Sequence, residues 1–216
     1  MDFNALIKKL MPPFAEVRNE IALLKQKHPG VYGHELAKIY RGQVRRKYTS
    51  VGVVSALPGV IPGLGTVAQV AIEAGAISAD VLLMLRWMAS LCYGTGLIYG
   101  QDTEEDFDDR FTVVLGLWSG VVLPEKAGMM AGERITVKHF DQHITDRIRN
   151  RINQKIGRKL VTKYGSKRGG VALGTLIPFG IGAAVGGTFN YMTMSRFGKA
   201  AEEYFRDENI NYFVEE

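Results

Sequence analysis

The residues in this chain whose types and spacing could support chemistry are Glu73, Asp80 and Arg86, in an otherwise apolar stretch. On a helix the two carboxylates lie on roughly one face, and Arg86 follows nearly two turns later. Burying a lone carboxylate is costly, so such groups are usually paired, protonated or exposed to a cavity. The spacing predicts either an ion-pair network that includes Asn190 or Arg196, or a polar site for an ion, a proton or a lipid headgroup.

A second constellation has the spacing H-x-x-x-H-x-x-D and consists of His139, His143 and Asp146. It could place three metal ligands on one helix face. No fourth ligand is evident, and the glutamate of the zinc-protease motif is missing. A solvated helix surface is therefore the favoured interpretation. The sequence also lacks a P-loop, a nucleophile elbow and a C-x-x-C pair, so we expect no metal, no cofactor and no enzymatic activity.

The length and composition favour one domain. The chain has 216 residues, 25 glycines and a formal net charge of +5. We divide it into basic N-terminal helices over residues 1–49, a core over 50–205 and a polar tail over 206–216. A single cysteine, Cys92, excludes an intrachain disulfide and is expected to be a buried thiol. The N-terminus lacks the long apolar region of a secretory signal, which favours a cytoplasmic location.

Two long segments, residues 51–72 and 169–195, contain no charged residue. Each reaches the length of about 20 residues that a membrane-spanning helix needs. Prolines interrupt both, so each is predicted to form a helical hairpin. The similarity between the segments indicates either an internal duplication or a chance likeness of glycine-rich apolar sequence. The residues assigned to the hairpin turns are Pro58, Pro62, Gly63, Gly65, Pro178, Gly180 and Gly182.

Glycines recur four residues apart, which places them on one face of a helix. Such faces let two helices approach closely, in a bilayer or in a soluble bundle. The pairs are Gly96 and Gly100, Gly116 and Gly120, Gly128 and Gly132, Gly170 and Gly174, and Gly182 and Gly186.

Basic residues precede both charge-free segments, which could attract anionic lipid or nucleic acid. Nucleic acid is disfavoured because Tyr164 is the one aromatic residue in the second basic stretch. A solvated basic face is the plainer alternative to a membrane surface. The residues are Arg45, Arg46, Lys47, Arg147, Arg151, Lys155, Arg158, Lys159, Lys167 and Arg168.

The apolar periodicity predicts an all-α fold. We expect helices over residues 14–27, 32–48 and from Thr66 to about Tyr99, and another that opens in the acidic cluster after Gly100 and stops at Pro124. A long basic amphipathic helix should cover residues 133–163. The predicted architecture is a compact bundle in which this helix wraps the two glycine-rich, proline-broken hairpins.

Several short segments between about Ser50 and Phe205 together form a recognisable pattern. The residues that form it are Ala56, Leu57, Pro58, Gly59, Val60, Ile61, Pro62, Gly63, Glu73, Asp80, Tyr99, Gly100, Gln101, Asp102, Ile177, Pro178, Phe179, Gly180, Ile181, Gly182, Ala183, Asn190, Tyr191 and Thr193. In these residues the chain resembles the EcsC family. The resemblance implies a bacterial, mostly helical protein that is associated with an ABC-transporter locus and has no settled activity.

The charge-free segments and their basic flanks predict a non-enzymatic protein that binds or inserts into the cytoplasmic face of a bacterial inner membrane and supports a membrane or transport process. Its partners would be membrane lipid or a membrane protein, and a homo-oligomer remains open. The alternative is a soluble helical module that binds an apolar ligand, such as a lipid, or a partner helix.

Overall fold

A computed structural model describes residues 11–54, 79–102, 104, 107–124, 133–136, 150–152, 154–155, 179–206 and 211–214. Most of these residues are helical, which confirms the predicted helical bundle. The elements are helices α1 (Phe14–Lys27), α2 (Gly33–Val54), α3 (Ala79–Ile98) and α4 (Phe107–Ser119), strands β1 (Val122–Pro124) and β2 (Glu133–Thr136), helix α5 (Phe179–Arg206) and strand β3 (Asn211–Val214).

Helix α1 follows the predicted stripe of apolar residues. Phe14, Val17, Ile21 and Leu24 are all buried, because a spacing of three or four residues keeps them on one helix face. Pro13 precedes the first helical residue, where its missing N–H leaves no bond unmade. The chain leaves the helix through His28, Pro29 and a glycine with a positive φ angle, Gly30.

Helix α3 lies at the centre of the bundle. Its side chains from Met84 to Leu97 are almost all buried, because α1, α2, α4 and α5 all pack against it. The predicted helix that ends near Tyr99 is thus confirmed over Ala79–Ile98, while its predicted start at Thr66 lies outside the described residues. Helix α2 runs on beyond the predicted end at Tyr48 to Val54, into the first charge-free segment.

Helices α2 and α3 are antiparallel. The Tyr40 hydroxyl donates a hydrogen bond to the Ser90 carbonyl at 2.9 Å, and the Lys47 ammonium lies 5.9 Å from the centre of the Trp87 ring. Later residues of α2 therefore lie beside earlier residues of α3.

Helices α2 and α5 are antiparallel as well. The Arg41 guanidinium contacts Glu202, whereas the Arg45 guanidinium lies over Tyr191, farther back along α5. Since α3 and α5 are both antiparallel to α2, they run in the same direction. Residues 51–54 of α2, 79–83 of α3 and 179–190 of α5 consequently lie at one end of the bundle.

Four aromatic rings form the packing centre between α1, α3, α4 and α5. The Phe107 ring lies 5.1 Å from Phe14, 4.7 Å from Tyr93 and 6.2 Å from Phe205, measured between ring centres. A Cβ atom at Gly96 would stand 2.8 Å from the Phe107 ring. Gly96 is therefore needed for the approach of an aromatic side chain.

Two predicted glycine pairs have a different role from the one expected. Gly100 and Gly120 have φ angles of +92° and +74°, which glycine adopts without strain. The backbone bonds from Gln101 N to Gly96 O (2.9 Å) and from Val121 N to Gly116 O (3.0 Å) are typical of a glycine-terminated helix. Within the described residues these pairs end α3 and α4 instead of forming a shared helix face.

A small antiparallel sheet, which the sequence analysis did not predict, has the strand order β1-β3-β2. Strand β2 occupies Glu133–Thr136, where the long basic helix was expected to begin. Strand β3 lies within the expected polar tail and is the central strand, with Phe213 opposite both Leu123 and Arg134. Residues 150–152 and 154–155 are helical, as predicted, and the remainder of the long helix lies outside the described residues.

Candidate functional site

Basic and aromatic side chains of three helices meet at one level of the bundle. We call this set the basic-aromatic belt: Arg45, Arg46, Lys47, Trp87 and Tyr191. The Arg45 guanidinium lies 3.8 Å from the centre of the Tyr191 ring, a cation–π distance, and Lys47 also forms an ion pair with Glu20 of α1. The Tyr191 side chain is 46% exposed, as is its neighbour Met192. The belt therefore combines cations with an apolar and aromatic surface open to solvent.

The three helices continue beyond the belt on the same side. At a rise of 1.5 Å per residue, the backbone extends about 14 Å from Arg45 to the end of α2 and about 18 Å from Tyr191 back to the start of α5. Residues 48–54 and 179–190 carry no charge, and α3 contributes Asp80 there. Residues 55–72 and 169–178, which are charge-free, join the described helices at this end.

The opposite end of the bundle contains a nearly buried carboxylate. Glu202 of α5 is 5% exposed, and Arg41 of α2 donates a hydrogen bond to its Oε2 atom at 2.8 Å. His34 Nδ1 contacts Oε1, and the Tyr99 hydroxyl donates to the same oxygen at 3.3 Å. Burial, followed by the negative charge of Glu202, raises the pKa of Tyr99 to about 12. The hydroxyl therefore remains a donor at neutral pH.

These groups are suited to holding helices together. The carboxylate accepts hydrogen bonds from Arg41 and Tyr99 and contacts His34, so both of its oxygen atoms are engaged by residues from different parts of the chain. Burial raises the pKa of the Cys92 thiol well above its ordinary value, so the thiol is protonated and unreactive, as expected from the sequence. No group of His, Cys, Asp or Glu among the described residues could hold a metal ion.

The predicted polar site around Glu73 lies only partly within the described residues. Arg86 is half-buried in α3, and Arg196 is exposed on α5. Asp80 and Asn190 belong to α3 and α5, at the end beyond the belt, and Glu73 lies outside the described residues. The predicted site therefore stays a prediction.

The charged cluster that the structure does show, at Glu202, was missed. The sequence pattern that could have revealed it is the position of Glu202 beside Phe197, Ala201 and Phe205 of α5. These three apolar residues are all buried. A carboxylate on the edge of such a stripe requires a cation from a neighbouring helix. The sequence could not indicate which arginine supplies it.

Of the other predicted basic residues, Lys155 has a structural contact. Its ammonium donates to the Gly120 carbonyl at 2.9 Å, which satisfies an acceptor just after α4, and Arg151 is half-buried nearby in the chain. Further predicted residues lie outside the described ones: Arg147, Arg158, Lys159, Lys167, Arg168, His139, His143 and Asp146.

The predicted hairpin turns are tested at two positions. Gly180 and Gly182 lie inside helix α5, so the turn assignment is wrong for them. A proline is well tolerated just before a helix, and Pro178 immediately precedes the first residue of α5. The remaining turn residues, Pro58, Pro62, Gly63 and Gly65, lie outside the described ranges, as does Pro178 itself.

Among the described helices, none is both long and apolar enough to cross a membrane. Compared with known proteins, the chain matches no family model, no curated protein and no solved structure. The resemblance to the EcsC family therefore stays a prediction.

Proposed function

We propose that this is a non-enzymatic protein that binds the cytoplasmic face of a bacterial membrane through the end of the bundle that carries the basic-aromatic belt. The observation that supports the proposal is the convergence of α2, α3 and α5 at that end, where both charge-free segments join the bundle. Membrane lipid is the direct partner in this proposal. The resemblance to the EcsC family agrees with a role in supporting a membrane or transport process.

The side chains of the belt suit the boundary between water and lipid. Tyrosine is enriched at that boundary because its ring is apolar and carries one polar group, and Tyr191 is an exposed tyrosine. Each lysine or arginine near an anionic surface adds about 1 kcal/mol of attraction. Because Arg45 and Lys47 lie against aromatic rings, the charges and the rings are held at the same height along the bundle.

The opposite end is mixed in charge: among the described residues there, Arg18 is paired with Asp102 and Lys38 with Glu35. The helix termini there carry Arg206 and Lys27, and the nearby Glu202 is enclosed by its partners. A protein that contacts a membrane through the belt would approach it in one orientation, with the Glu202 cluster directed away from the lipid.

Sedimentation with vesicles tests the proposal. The full chain is mixed with phosphatidylcholine vesicles, with or without phosphatidylglycerol, at low and at high salt. We expect binding to the anionic vesicles that weakens with salt, because salt screens exposed charges. The variant Arg46→Glu, at an exposed position of the belt, should weaken binding about tenfold.

The matched control is Arg206→Glu, which makes the same charge change at an exposed position about 22 Å farther along α5 from Tyr191. It should reduce binding much less than Arg46→Glu. Failure of the unaltered protein to bind anionic vesicles at low salt would contradict the proposal. So would an equal loss in both variants, since that would indicate attraction by net charge alone.

A further inference from the structure

The outward side of α5 changes from apolar to basic with distance from the belt. Met192, next to Tyr191 of the belt, is 46% exposed, and Arg196 and Lys199 follow at exposed positions about one and two turns later. Because these three residues are spaced four and three positions apart, they share one face of the helix. We call Met192, Arg196 and Lys199 the α5 face.

Both cations of the α5 face are directed away from the bundle. Phe197 and Ala201, on the other side of α5, are buried. Among the residues that the structure describes, neither Arg196 nor Lys199 makes a hydrogen bond, an ion pair or a ring contact. Each cation of the belt, by contrast, has an interaction with another residue. The positive charge on the α5 face is therefore open to an external anion.

The order of charges along α5 resembles the order along α2. Residues 179–190 of α5 carry no charge, and the first charged residues after them are Arg196 and Lys199. The first carboxylate, Glu202, comes only after both cations. The charge-free end of α2, residues 48–54, is bordered by the cations of the belt in the same way. Cations beside a charge-free segment are typical of chains that meet the cytoplasmic face of a bilayer.

Distances along α5 suit the headgroup layer of a membrane. At a rise of 1.5 Å per residue, Arg196 lies about 8 Å and Lys199 about 12 Å from Tyr191 along the helix axis. The headgroup layer is roughly 6 Å thick on each side of the hydrocarbon. Long basic side chains extend their charge toward that layer while their stems cover apolar surface. With Tyr191 at the edge of the hydrocarbon, both cations would reach the lipid phosphates.

From this combination we infer that the α5 face contacts the membrane and that Arg196 and Lys199 bind the phosphate groups of anionic lipid. The inference rests on the proposed membrane association and deepens it, because it names the side chains that contact the headgroups. Met192 would lie at the boundary between the headgroups and the hydrocarbon. The belt then sets the height of the bundle, and the α5 face provides the charge contacts with the lipid.

Variants with the same loss of charge test the inference. The full chain is mixed with vesicles of phosphatidylcholine and phosphatidylglycerol, either unaltered or with Arg196→Gln and Lys199→Gln together. The matched control combines Lys27→Gln with Arg206→Gln, which removes two charges at exposed positions of the opposite end. We expect the first double variant to bind about thirtyfold more weakly and the control less than about threefold, because attraction to anionic lipid requires the charge to lie near the surface.

Chemical labelling of lysines adds a measurement that does not depend on any variant. An N-hydroxysuccinimide ester acylates exposed lysines of the unaltered protein, and mass spectrometry measures the rate at each site. We expect anionic vesicles to slow the labelling of Lys199 several-fold, because a lysine that binds a lipid phosphate is shielded from the reagent. The labelling of Lys27, at the opposite end, should keep its rate.

Equal losses of binding in the two double variants contradict the inference and leave the membrane proposal standing. The same conclusion follows if the unaltered protein binds the vesicles while the labelling rate of Lys199 stays the same. Failure of the unaltered protein to bind anionic vesicles contradicts both proposals.

Discussion

Arg41 donates a hydrogen bond to Glu202 at 2.8 Å and joins two helices that are far apart in the sequence. The side chains of both residues are largely buried, with 12% and 6% of their surface exposed. Gly198 makes this contact feasible, because a Cβ atom there would stand 2.5 Å from the Arg41 Cδ atom. The pair fixes the antiparallel relation of α2 and α5, on which the placement of the belt depends.

Removing one partner of this pair should destabilise the protein. Glu202→Leu leaves the Arg41 charge in a poorly solvated site, and Arg41→Met leaves the carboxylate there, so each should lower the free energy of unfolding by about 3 kcal/mol. The double variant should recover much of the loss, because no lone charge remains. Urea unfolding followed by circular dichroism measures the free energy of unfolding of the unaltered protein, the two single variants and the double variant. Strictly additive losses would show that the two residues are not coupled.

Two glycine-to-alanine changes should have opposite effects. Gly94→Ala places a Cβ atom 2.1 Å from the ring of Tyr40, which is buried and bonded to Ser90, so we expect a loss of about 2 kcal/mol. Gly42→Ala meets no described atom and should gain up to about 1 kcal/mol. Thermal unfolding compares the variants. A stabilised Gly94→Ala protein would refute the close approach of Tyr40.

Stability should decline in alkaline solution. The pKa of Tyr99 is about 12 in the folded protein and about 10 in an unfolded chain, so the unfolded state loses its proton first. The resulting stabilisation is complete below about pH 10 and is lost as the pH rises toward 12. Burial raises the pKa values of Tyr40 and Tyr93 in the same direction.

Urea unfolding at a series of alkaline pH values measures this dependence. Tyr99→Phe should reduce the slope of the free energy of unfolding against pH between about pH 10 and 12. The control is Leu23→Ala, at an exposed residue that carries no titrating group, which should leave the slope unaltered. Identical slopes for Tyr99→Phe and the unaltered protein would argue against the enclosed position of this hydroxyl.

The aromatic cluster should contribute more to stability than the surface of α1. Phe107 is fully buried and contacts three other rings, so Phe107→Ala should cost about 4 kcal/mol through lost burial and the cavity that remains. Leu23→Ala, at a side chain that is 55% exposed, should change stability by less than about 0.5 kcal/mol. Chemical unfolding provides both values, and comparable losses would contradict the assigned core.

Helix α1 illustrates what could be predicted from sequence. Its apolar spacing and its flanking prolines act between residues within a few positions of each other, so the predicted bounds agree with the observed ones. Strand β3 illustrates the reverse case. Its four residues form a strand because β1 and β2 pair with it on both sides, and neither pairing is visible in a segment so short.

The candidate site likewise has one part that the sequence predicts and another that it does not. The sequence by itself determined that Arg45, Arg46 and Lys47 precede a charge-free segment, and that the part of the chain the structure describes is mainly helical. Only the tertiary structure decided that Tyr191 and Trp87 lie beside these cations, and that Glu202 is neutralised by a residue 161 positions away. Helical periodicity is a local property, whereas the direction and partners of packed helices depend on which faces of the whole chain are buried together.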